Sequence, residues 1–332
     1  MTNKIRVGVF GAGVAGHHHI EAFSRISESV ELVGFTEIDD VRRLEIQNEF
    51  DVAGYDSTES LIAAEINLGV VALPHDQLFE CSVALYDAGC HLLVEKPMGN
   101  TLEQAKRLVE IYSQNDDLVA SVSFVHRFRP VFTKVYSLLA NKILGSVVAV
   151  HEHFMHPGDD RVPKWVWDSS KSGGGILLYS GIHNIDRILW FVNGEATLIN
   201  GLIGKHSHEF DVEDGVCANI RFDNGTYSSL VGNQPFAVVP TTISRTEVYC
   251  KEGTITVSNG TELTYANSNG EIFEERYDSV GHFEYQANNI VNSIMNGEKP
   301  LVSLIDGVRA YELADNIYKS YWNQMTIDCD NN

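Results

Sequence analysis

Short apolar runs alternate with segments of helical periodicity over residues 1–127. The apolar runs are predicted as strands, and they cover residues 5–10, 30–36, 68–73, 91–94 and 118–125. The segments between them carry apolar residues at helical spacing, and one of them opens with the capping pattern Thr101-Leu102-Glu103-Gln104. Repeated βα units of this length predict an N-terminal α/β domain over residues 1–127, built on a doubly wound parallel sheet.

The pattern changes after residue 127. A helix is predicted over residues 130–140 and a strand over residues 147–154, and strand-like runs dominate beyond Gly194. Asn-Gly pairs that begin at positions 224, 259 and 269 each lie between two such runs, which is a strong signal for a hairpin. Two helical patterns follow, the first of them ended by Gly297. We therefore expect a second domain over residues 128–332, an α+β unit with a large open, mostly antiparallel sheet.

One helical pattern in the second domain combines an apolar face with a polar one. It follows Gly173-Gly174-Gly175, and its apolar face consists of Leu178, Ile182, Ile185 and Leu189. A second row contains Tyr179, His183, Asp186 and Trp190. A phenol, an imidazole and a carboxylate in one row indicate either a partly exposed structural helix or a catalytic element. The first domain favours the catalytic interpretation.

The first predicted strand leads directly into a glycine-rich turn that opens a helix. Its sequence is Gly11-Ala12-Gly13-Val14-Ala15-Gly16, the GxGxxG pattern of dinucleotide-binding (Rossmann) folds. In that pattern the first glycine permits the tight turn, the second lets the backbone reach a pyrophosphate, and the third lets helix and strand pack closely. Glu37 ends the second strand, where a carboxylate can accept hydrogen bonds from both ribose hydroxyls and repels a 2′-phosphate. We predict NAD rather than NADP as the cofactor, the alternative being that Glu37 is a solvated loop residue.

The composition excludes several classes of function. The chain has 332 residues and a formal net charge of −21, which opposes binding to nucleic acid. No apolar run approaches the ~20 residues needed to cross a bilayer. Five scattered cysteines without a CxxC pair, and a start that leads straight into a strand, predict a cytoplasmic protein with reduced thiols.

The ends of the later strands supply further candidates, because ligands of parallel sheets bind at the carboxyl ends of the strands. The predicted cofactor contacts there are Leu73, Pro74, His75, Glu95 and Lys96. Three histidines, His151, His153 and His156, invite a metal interpretation, but no carboxylate or cysteine cluster accompanies them. We expect no metal and read these histidines as polar residues of a sugar-binding face.

The order of these motifs resembles the glucose–fructose oxidoreductase / inositol dehydrogenase (Gfo/Idh/MocA) family over essentially the whole chain. The residues that carry the resemblance are the GxGxxG turn, Glu95-Lys96-Pro97, and Gly173-Gly174-Gly175 with the following Gly181-Ile182-His183-Asn184-Ile185-Asp186. The resemblance implies that Lys96 lies between nicotinamide and substrate, and that His183 is the acid/base. It also implies a sugar, sugar derivative or cyclitol as substrate, and a homodimer or homotetramer formed through the second domain's sheet.

The same two residues suit alcohol oxidation chemically. Hydride transfer from a secondary alcohol requires a base for the hydroxyl proton, and an imidazole suits that task near neutral pH. A lysine beside it stabilises the developing alkoxide.

The chain departs from the family pattern at Tyr179, where many relatives have an aspartate, so Tyr179 is a candidate for hydrogen bonding or proton relay. Of the remaining candidates, Trp165 is expected near the nicotinamide or in the core. His126 and Arg127 are expected to line the substrate site. Asp186 is expected either to orient His183 or to be structural.

Three functions remain open on the sequence alone. The leading one is an NAD(H)-dependent oxidoreductase of a sugar, sugar derivative or cyclitol. The second is an enzyme that retains NAD and oxidises and re-reduces its sugar during elimination or hydrolysis, which Tyr179 favours. The third is a sugar- and cofactor-sensing regulator without turnover, which the presence of both Lys96 and His183 disfavours.

Overall fold

The computed structural model describes residues 4–158, 162–207, 209–235 and 242–329. They form two compact units. The first contains the described residues up to Val125 together with Gly281–Val308, and the second contains His126–Val280 and the chain from Arg309 onward. The segment Gly281–Val308 therefore lies in the first unit, whereas the contiguous division expected from the sequence placed it in the second.

Ten helices lie in the described part of the chain. They are α1 (Val14–Arg25), α2 (Asp40–Phe50), α3 (Thr58–Ile62), α4 (His75–Asp87), α5 (Leu102–Tyr112), α6 (Pro130–Ala140), α7 (Ser169–Ser172), α8 (Ile182–Val192), α9 (His282–Asn296) and α10 (Leu304–Trp322). The predicted capping at the start of α5 is confirmed, since the Thr101 side chain accepts a hydrogen bond from the backbone N–H of Gln104.

A six-stranded parallel sheet organises the first unit. Its strands are β1 (Ile5–Phe10), β2 (Val30–Thr36), β3 (Ala53–Tyr55), β4 (Leu68–Val71), β5 (His91–Val94) and β6 (Ala120–Val122). They lie in the order β3-β2-β1-β4-β5-β6, and every pair is parallel. The predicted doubly wound sheet is confirmed, and its strand order reverses beside β1, where such folds bind ligands.

Helix α9 explains why the chain returns to the first unit. Ala287, Ile290 and Val291 are at most 1% exposed and belong to the same core cluster as Ile20 and Phe23 of α1. The 3.6-residue pattern of α9 was visible in the sequence, and its end at Gly297 is confirmed. A helical pattern shows which face is apolar but does not show which partner that face packs against.

A nine-stranded sheet organises the second unit. Its strands are β7 (Val147–Met155), β8 (Ala196–Gly204), β9 (Gly215–Phe222), β10 (Tyr227–Asn233), β11 (Ile243–Cys250), β12 (Gly253–Ser258), β13 (Glu262–Asn267), β14 (Ile272–Arg276) and β15 (Ile327–Asp328). Their order is β14-β13-β12-β11-β7-β10-β9-β8-β15. The central pair β7–β10 is parallel and the other described pairs are antiparallel, so the predicted mostly antiparallel sheet is confirmed.

The three Asn-Gly pairs lie at hairpin turns, as predicted. They join β9 to β10, β12 to β13 and β13 to β14, and the glycine of each pair has a positive φ. At Asn259-Gly260 both residues have positive φ, 55° and 68°, which is the geometry of a tight two-residue hairpin turn.

Helix α8 packs against one face of the second sheet. Glu152 and Phe154 of β7 point toward it and are 1% exposed, while His153 between them is exposed on the other face. Within the described ranges, no helix is both long enough and apolar enough to span a bilayer. Among the described residues, the five cysteines form no disulfide bond.

Candidate active site

The glycine-rich turn has the geometry that a dinucleotide requires. Gly11 has a φ of +91°, and a Cβ there would lie 2.6 Å from the carbonyl oxygen of Ala72. A Cβ on Gly16 would lie 1.9 Å from the carbonyl oxygen of Gly11. By contrast, a Cβ on Gly13 would meet nothing within 4 Å, so open space lies above this position. The first and third glycines therefore permit the turn and the close packing, and the second leaves room for a pyrophosphate.

The N-terminus of α1 follows that open position. Gly13 precedes the helix without a side-chain cap, and Val14, the first helical residue, is 64% exposed. Ala15 is partly exposed beside it. The first N–H groups of a helix lack intrahelical acceptors and lie at the positive end of its dipole, so they suit a phosphate. These residues fit the diphosphate of NAD as the sequence predicted.

Glu37 lies at the end of β2 with its side chain 14% exposed. Its Oε1 accepts a hydrogen bond from the backbone N–H of Asp39 at 3.1 Å, and its Oε2 lies 3.5 Å from Nε of Arg42. Arg42 in turn donates from Nε and Nη2 to the carbonyl oxygen of Ala12, at 3.0 and 2.6 Å. The carboxylate and the glycine turn are thus joined through an arginine that the sequence analysis did not single out.

The residues after β4 differ in what they can offer a ligand. Leu73 packs against the glycine turn, its Cδ2 lying 3.0 Å from the Cβ position of Gly11. Pro74 caps α4, and His75 begins that helix with only 3% exposure. The His75 imidazole lies inside the fold, and a contact of this residue with the cofactor stays a prediction. Spacing along the chain does not reveal whether the first side chain of a helix points inward.

Lys96 follows β5 in a loop held by buried groups. Its peptide bond to Pro97 is cis. The preceding Glu95 lies 3.0 Å from Nε2 of His19, which is fully buried in α1. The carboxylate of Glu95 joins α1 to the loop that carries Lys96, and the predicted contact of Glu95 with the cofactor stays a prediction. His19 was therefore a missed positioning residue.

In this loop the pKa of the Glu95 carboxyl and the pKa of the Lys96 amine both lie below their ordinary values. Burial by itself raises the pKa of Glu95, but the hydrogen bond and charge of His19, with the charge of Lys96, together lower it below its ordinary value. Burial lowers the pKa of Lys96, and the neighbouring Glu95 offsets part of that effect.

A π-helical turn, Leu177–Gly181, precedes α8. The predicted helix from Leu178 onward is therefore corrected in its first turn, where each hydrogen-bonded turn takes more residues than in an α-helix. Such turns occur frequently at functional sites. Tyr179 lies inside the π turn and His183 in the first turn of α8, so their spacing along the chain does not put them on one face as a regular helix would.

Glu213 fixes the start of this turn. Its carboxylate accepts hydrogen bonds from the backbone N–H groups of Gly175 and Leu177, at 2.7 and 3.0 Å, and from the hydroxyl of Tyr318 at 2.7 Å. Burial raises the pKa of Glu213, and these three donors oppose that rise. A Cβ on Gly175 would lie 2.0 Å from the carbonyl oxygen of Glu213, so glycine is required for the contact. No motif in the sequence points to Glu213, which lies 38 positions from Gly175.

Burial around α8 separates the functional candidates. The predicted apolar residues Leu178, Ile182, Ile185 and Leu189 are at most 6% exposed, as expected. Tyr179, His183 and Trp190 remain partly exposed.

Asp186 does not belong to that accessible row. It is 1% exposed and pairs with Arg127, whose Nη2 lies 2.6 Å from Oδ1. Arg127 is itself 5% exposed, and its guanidinium lies 5.4 Å from the ring of Trp190. Arg127 was predicted to line the substrate site, and Asp186 either to orient His183 or to be structural; the structure shows the two in a buried ion pair, and any role toward a substrate stays a prediction. An aspartate at helical spacing from His183 was too general a signal to separate the two.

His126 stacks on His183, with ring centroids 4.2 Å apart and planes inclined by 23°. Nη1 of Arg187 donates to Nδ1 of His126 at 2.8 Å. Because a guanidinium has only donors, this Nδ1 must be the acceptor, which makes His126 the neutral tautomer with its proton on Nε2. His126 is thus a neutral ring fixed against the candidate base.

A buried carboxylate balances the charge of Arg187. Glu152 accepts from Nε and Nη2 of Arg187 at 2.9 and 2.8 Å, and both side chains are at most 1% exposed. Asn184 and Thr246 donate to the same carboxylate, at 2.9 and 3.1 Å. This network was missed because its members come from three distant segments of the chain.

Trp165 lies close to Tyr179 of the π turn. It is partly exposed, and its ring lies edge-on to that of Tyr179, with centroids 6.2 Å apart. A half-exposed indole beside a phenol can pack against a flat ring or against the apolar face of a sugar.

His151 and His153 lie in β7, on the face opposite Glu152 and Phe154, and His156 follows that strand. Nδ1 of His151 lies 2.6 Å from Oγ of Ser229, and both residues line a cavity of about 310 Å³ on the outward face of the sheet, with His153 and Glu247. The described ranges contain no group of three or more His, Cys, Asp or Glu side chains arranged to hold a metal ion.

Two family models match most of the chain. Residues 5–124 match the Gfo/Idh/MocA model described as an oxidoreductase family with an NAD-binding Rossmann fold. Residues 132–256 match the model of the Gfo/Idh/MocA C-terminal domain.

Relatives of the chain are dehydrogenases. Glucose-6-phosphate 3-dehydrogenase of Bacillus subtilis (strain 168) is 29% identical over 190 residues, a match that covers 56% of this chain and about half, 53%, of that enzyme. The scyllo-inositol 2-dehydrogenase (NAD(+)) of the same organism is 21% identical over 99% of this chain and 98% of its own. Among solved structures, levoglucosan dehydrogenase in complex with NADH superposes with a TM-score of 0.91 at 20% identity, covering 98% of this chain and 99% of that one. This last likeness shows the fold.

Proposed function

Because the chain belongs to the Gfo/Idh/MocA family of oxidoreductases, we propose that it transfers a hydride between NAD(H) and a secondary alcohol of a sugar, sugar derivative or cyclitol. In this proposal His183 is the acid/base and Lys96 stabilises the alkoxide. Bound NAD supplies the hydride acceptor, and the protein supplies position, charge and the proton acceptor.

The observation that carries the proposal is the selective exposure of α8. Nine of its eleven residues are buried, and His183 is one of the two that are not. The other polar side chains of this helix, Asn184, Asp186 and Arg187, are all buried. The packing of the helix therefore does not require an accessible imidazole. His126 and the Glu213 contacts hold that imidazole in place. Accessibility combined with fixed orientation is what a general base requires.

The proton leaves the substrate through His183. As the alcohol carbon loses its hydride, the hydroxyl proton passes to a ring nitrogen of His183, which becomes an imidazolium. Lys96, as an ammonium, favours the negative charge that develops on the same oxygen. The reverse reaction returns the proton from the imidazolium to the carbonyl oxygen.

A test of this function starts from the purified protein. Any bound nucleotide is released by heat and identified, and a panel of sugars, sugar phosphates and cyclitols is then screened for NADH formation at 340 nm. Net NADH with at least one alcohol, abolished in His183→Ala, supports the proposal. Absence of NADH formation together with absence of NAD binding contradicts it.

Tyr179 supports a second candidate. It takes the position where many members of the family have aspartate, and it is partly exposed in the π turn beside Trp165. A phenol can relay a proton during an elimination or hydrolysis in which NAD is reduced and then reoxidised within one turnover. In that case sugar is consumed without accumulation of NADH, and the released nucleotide is NAD. A regulator without turnover would bind both ligands and change neither.

We also propose that a second copy of the chain covers the outward face of the second sheet. This face exposes large apolar side chains on β8, β10 and β11: Leu198, Leu202, Tyr227 and Tyr249 are 43%, 61%, 52% and 43% exposed. Open sheets with such faces tend to associate. Light scattering at micromolar concentration should give the mass of a dimer or tetramer, and a monomer would contradict this assignment.

A further inference from the structure

Arg129 is a partly buried cation that no carboxylate neutralises in the part of the chain that the structure describes. It directly precedes α6, and its Nε is shielded from solvent without a hydrogen-bond partner among the described residues. No described carboxylate lies within ion-pair distance of its guanidinium. Burial of a charge without a partner is unfavourable, so the position of this side chain must be accounted for by packing or by a ligand.

The two neighbouring arginines are matched by carboxylates. Arg127 pairs with Asp186, and Arg187 pairs with Glu152. Arg129 is therefore the excess positive charge of this region, in a chain whose formal net charge is −21. An arginine left unmatched in so acidic a chain suits an anion that comes from outside the chain.

Three effects disfavour the charge of Arg129. Burial and the positive charge of Arg187 lower its pKa to about 10, so the guanidinium is still protonated at neutral pH. The side chain also lies at the N-terminus of the 11-residue α6, the positive end of the helix dipole, where a cation is unfavourable. A bound anion would offset all three effects.

The contact of Arg129 with the second sheet does not account for its charge. Its Nη1 lies 2.7 Å from the Cβ position of Gly260, in the hairpin turn between β12 and β13. An arginine that held this turn by hydrogen bonding would donate to a carbonyl oxygen, and no carbonyl oxygen of the described residues accepts from Arg129. The turn therefore borders the guanidinium without using its donors.

Contacts within the second unit connect Arg129 to the proposed base. The guanidinium of Arg187 lies 4.4 Å from the ring of Phe132, in the first turn of α6. Nη1 of the same guanidinium donates to His126, and His126 stacks on His183. An anion bound by Arg129 would thus lie in the same part of the unit as the alcohol that His183 is proposed to deprotonate.

We propose that Arg129 binds an anionic group of the substrate, a phosphate or a carboxylate, and that the enzyme prefers a sugar phosphate or a sugar acid to a neutral sugar or cyclitol. A guanidinium binds either group through paired N–H donors. This assignment rests on the proposed oxidoreductase function and narrows its substrate class.

Steady-state kinetics with NAD⁺ tests the preference on matched substrates: glucose, glucose 6-phosphate and glucuronate, and the same three forms of galactose. An anionic form should have the highest kcat/KM. Arg129→Gln should lower kcat/KM for that form by about tenfold or more, the effect of hydrogen bonds to a charged group, and mainly through KM. The value for the neutral form should stay unchanged. Lys134→Gln is the matched control, because it removes one positive charge from α6 at a lysine that pairs with Glu275.

Thermal unfolding tests the same site without turnover. With NAD⁺ present, the preferred anionic sugar should raise the Tm of the wild type and of Lys134→Gln, but not that of Arg129→Gln. Inorganic phosphate is the probe for an anion that is not attached to a sugar, and its shift should be smaller. Without ligand, Arg129→Gln should have a Tm no lower than that of the wild type, because it removes a charge that no carboxylate neutralises.

A structural role of Arg129 would give a different result. A lower Tm of Arg129→Gln without ligand, its failure to fold, or equal losses of kcat/KM for anionic and neutral sugars would overturn the assignment. A Tm shift with inorganic phosphate as large as that with the anionic sugar would indicate a site for free anions and would overturn the link to the substrate.

Failure of this assignment can be told apart from failure of the proposed function. If a neutral sugar has the highest kcat/KM and Arg129→Gln does not change it, the role of Arg129 is overturned while hydride transfer stands. If no alcohol gives NADH and NAD⁺ does not bind, the proposed function is overturned. In that case a Tm shift by an anionic sugar that Arg129→Gln abolishes still supports the anion site, and absence of any shift overturns it as well.

Discussion

A single methyl group at Gly175 should disable the site by displacing the π turn. In Gly175→Ala the new Cβ would lie 2.0 Å from the carbonyl oxygen and 2.8 Å from the nitrogen of Glu213. Both are backbone atoms, so rotation of a side chain cannot relieve the overlap. The π turn and the loop segment that carries Glu213 must separate, and the hydrogen bonds from Gly175 and Leu177 to the carboxylate lengthen or break.

The size of the effect follows from these contacts. Overpacking a filled site costs about 1–3 kcal/mol, and each weakened hydrogen bond to a charged group can add about 1 kcal/mol or more. A loss of about 2–4 kcal/mol lowers the Tm of a unit of this size by roughly 5–15 °C. Displacement of a catalytic group by about 1 Å can reduce the rate about 100-fold. The fall in kcat should therefore exceed the fall in the fraction of folded protein.

Gly215→Ala provides the matched control. Gly215 lies two residues from Glu213, its φ is not in the left-handed region, and its nearest neighbour would be 3.5 Å from a new Cβ. Thermal unfolding monitored by circular dichroism should show a large drop for Gly175→Ala and little change for Gly215→Ala. Equal melting temperatures and equal kcat values for the two variants would refute the role assigned to the Glu213 contact.

Three further predictions concern the reacting groups. His183→Ala should lower kcat by about 10²–10⁴ while NAD⁺ affinity, measured by calorimetry, stays unchanged; loss of nucleotide binding would contradict the separation of roles. Glu95→Gln removes the charge that raises the pKa of Lys96, so the alkaline limb of kcat/KM should move to lower pH, whereas the surface control Glu110→Gln should leave it in place. An unmoved limb would show that Lys96 need not be charged. Tyr179→Phe should reduce the rate nearly as much as His183→Ala if the phenol relays a proton, and a rate close to that of the wild type would leave it only a packing role.

The glycine pattern could be interpreted from the sequence because each glycine meets a local requirement. The turn at Gly11 and the close approach at Gly16 depend on neighbours that the βα motif itself fixes. The same holds for the Asn-Gly hairpins, whose positive φ values are properties of the turn alone. The first sheet, the hairpins and the glycine-rich turn could therefore be predicted from requirements that involve only residues close together along the chain.

The partners of the polar side chains could not be obtained in the same way. Asp186 has the spacing of a residue that orients His183, yet its carboxylate pairs with Arg127, 59 positions earlier. Glu213 lies 38 positions from Gly175. Because such pairs form only when separate segments pack, periodicity and motif spacing contain no information about them, and each polar residue of the motif region looked equally suited to a ligand.

The buried charges also explain how an imidazole can be held in place without a carboxylate at position 179. Glu152 accepts hydrogen bonds from Nε and Nη2 of the Arg187 guanidinium, and Nη1 donates to His126. Without Glu152, Arg187 would be a buried cation with no counter-ion, which costs about 3–5 kcal/mol. With it, the guanidinium fixes His126 as a neutral ring stacked on His183. A neutral aromatic face tolerates an imidazolium better than a second cation would, so the network supports both protonation states that a general base must pass through.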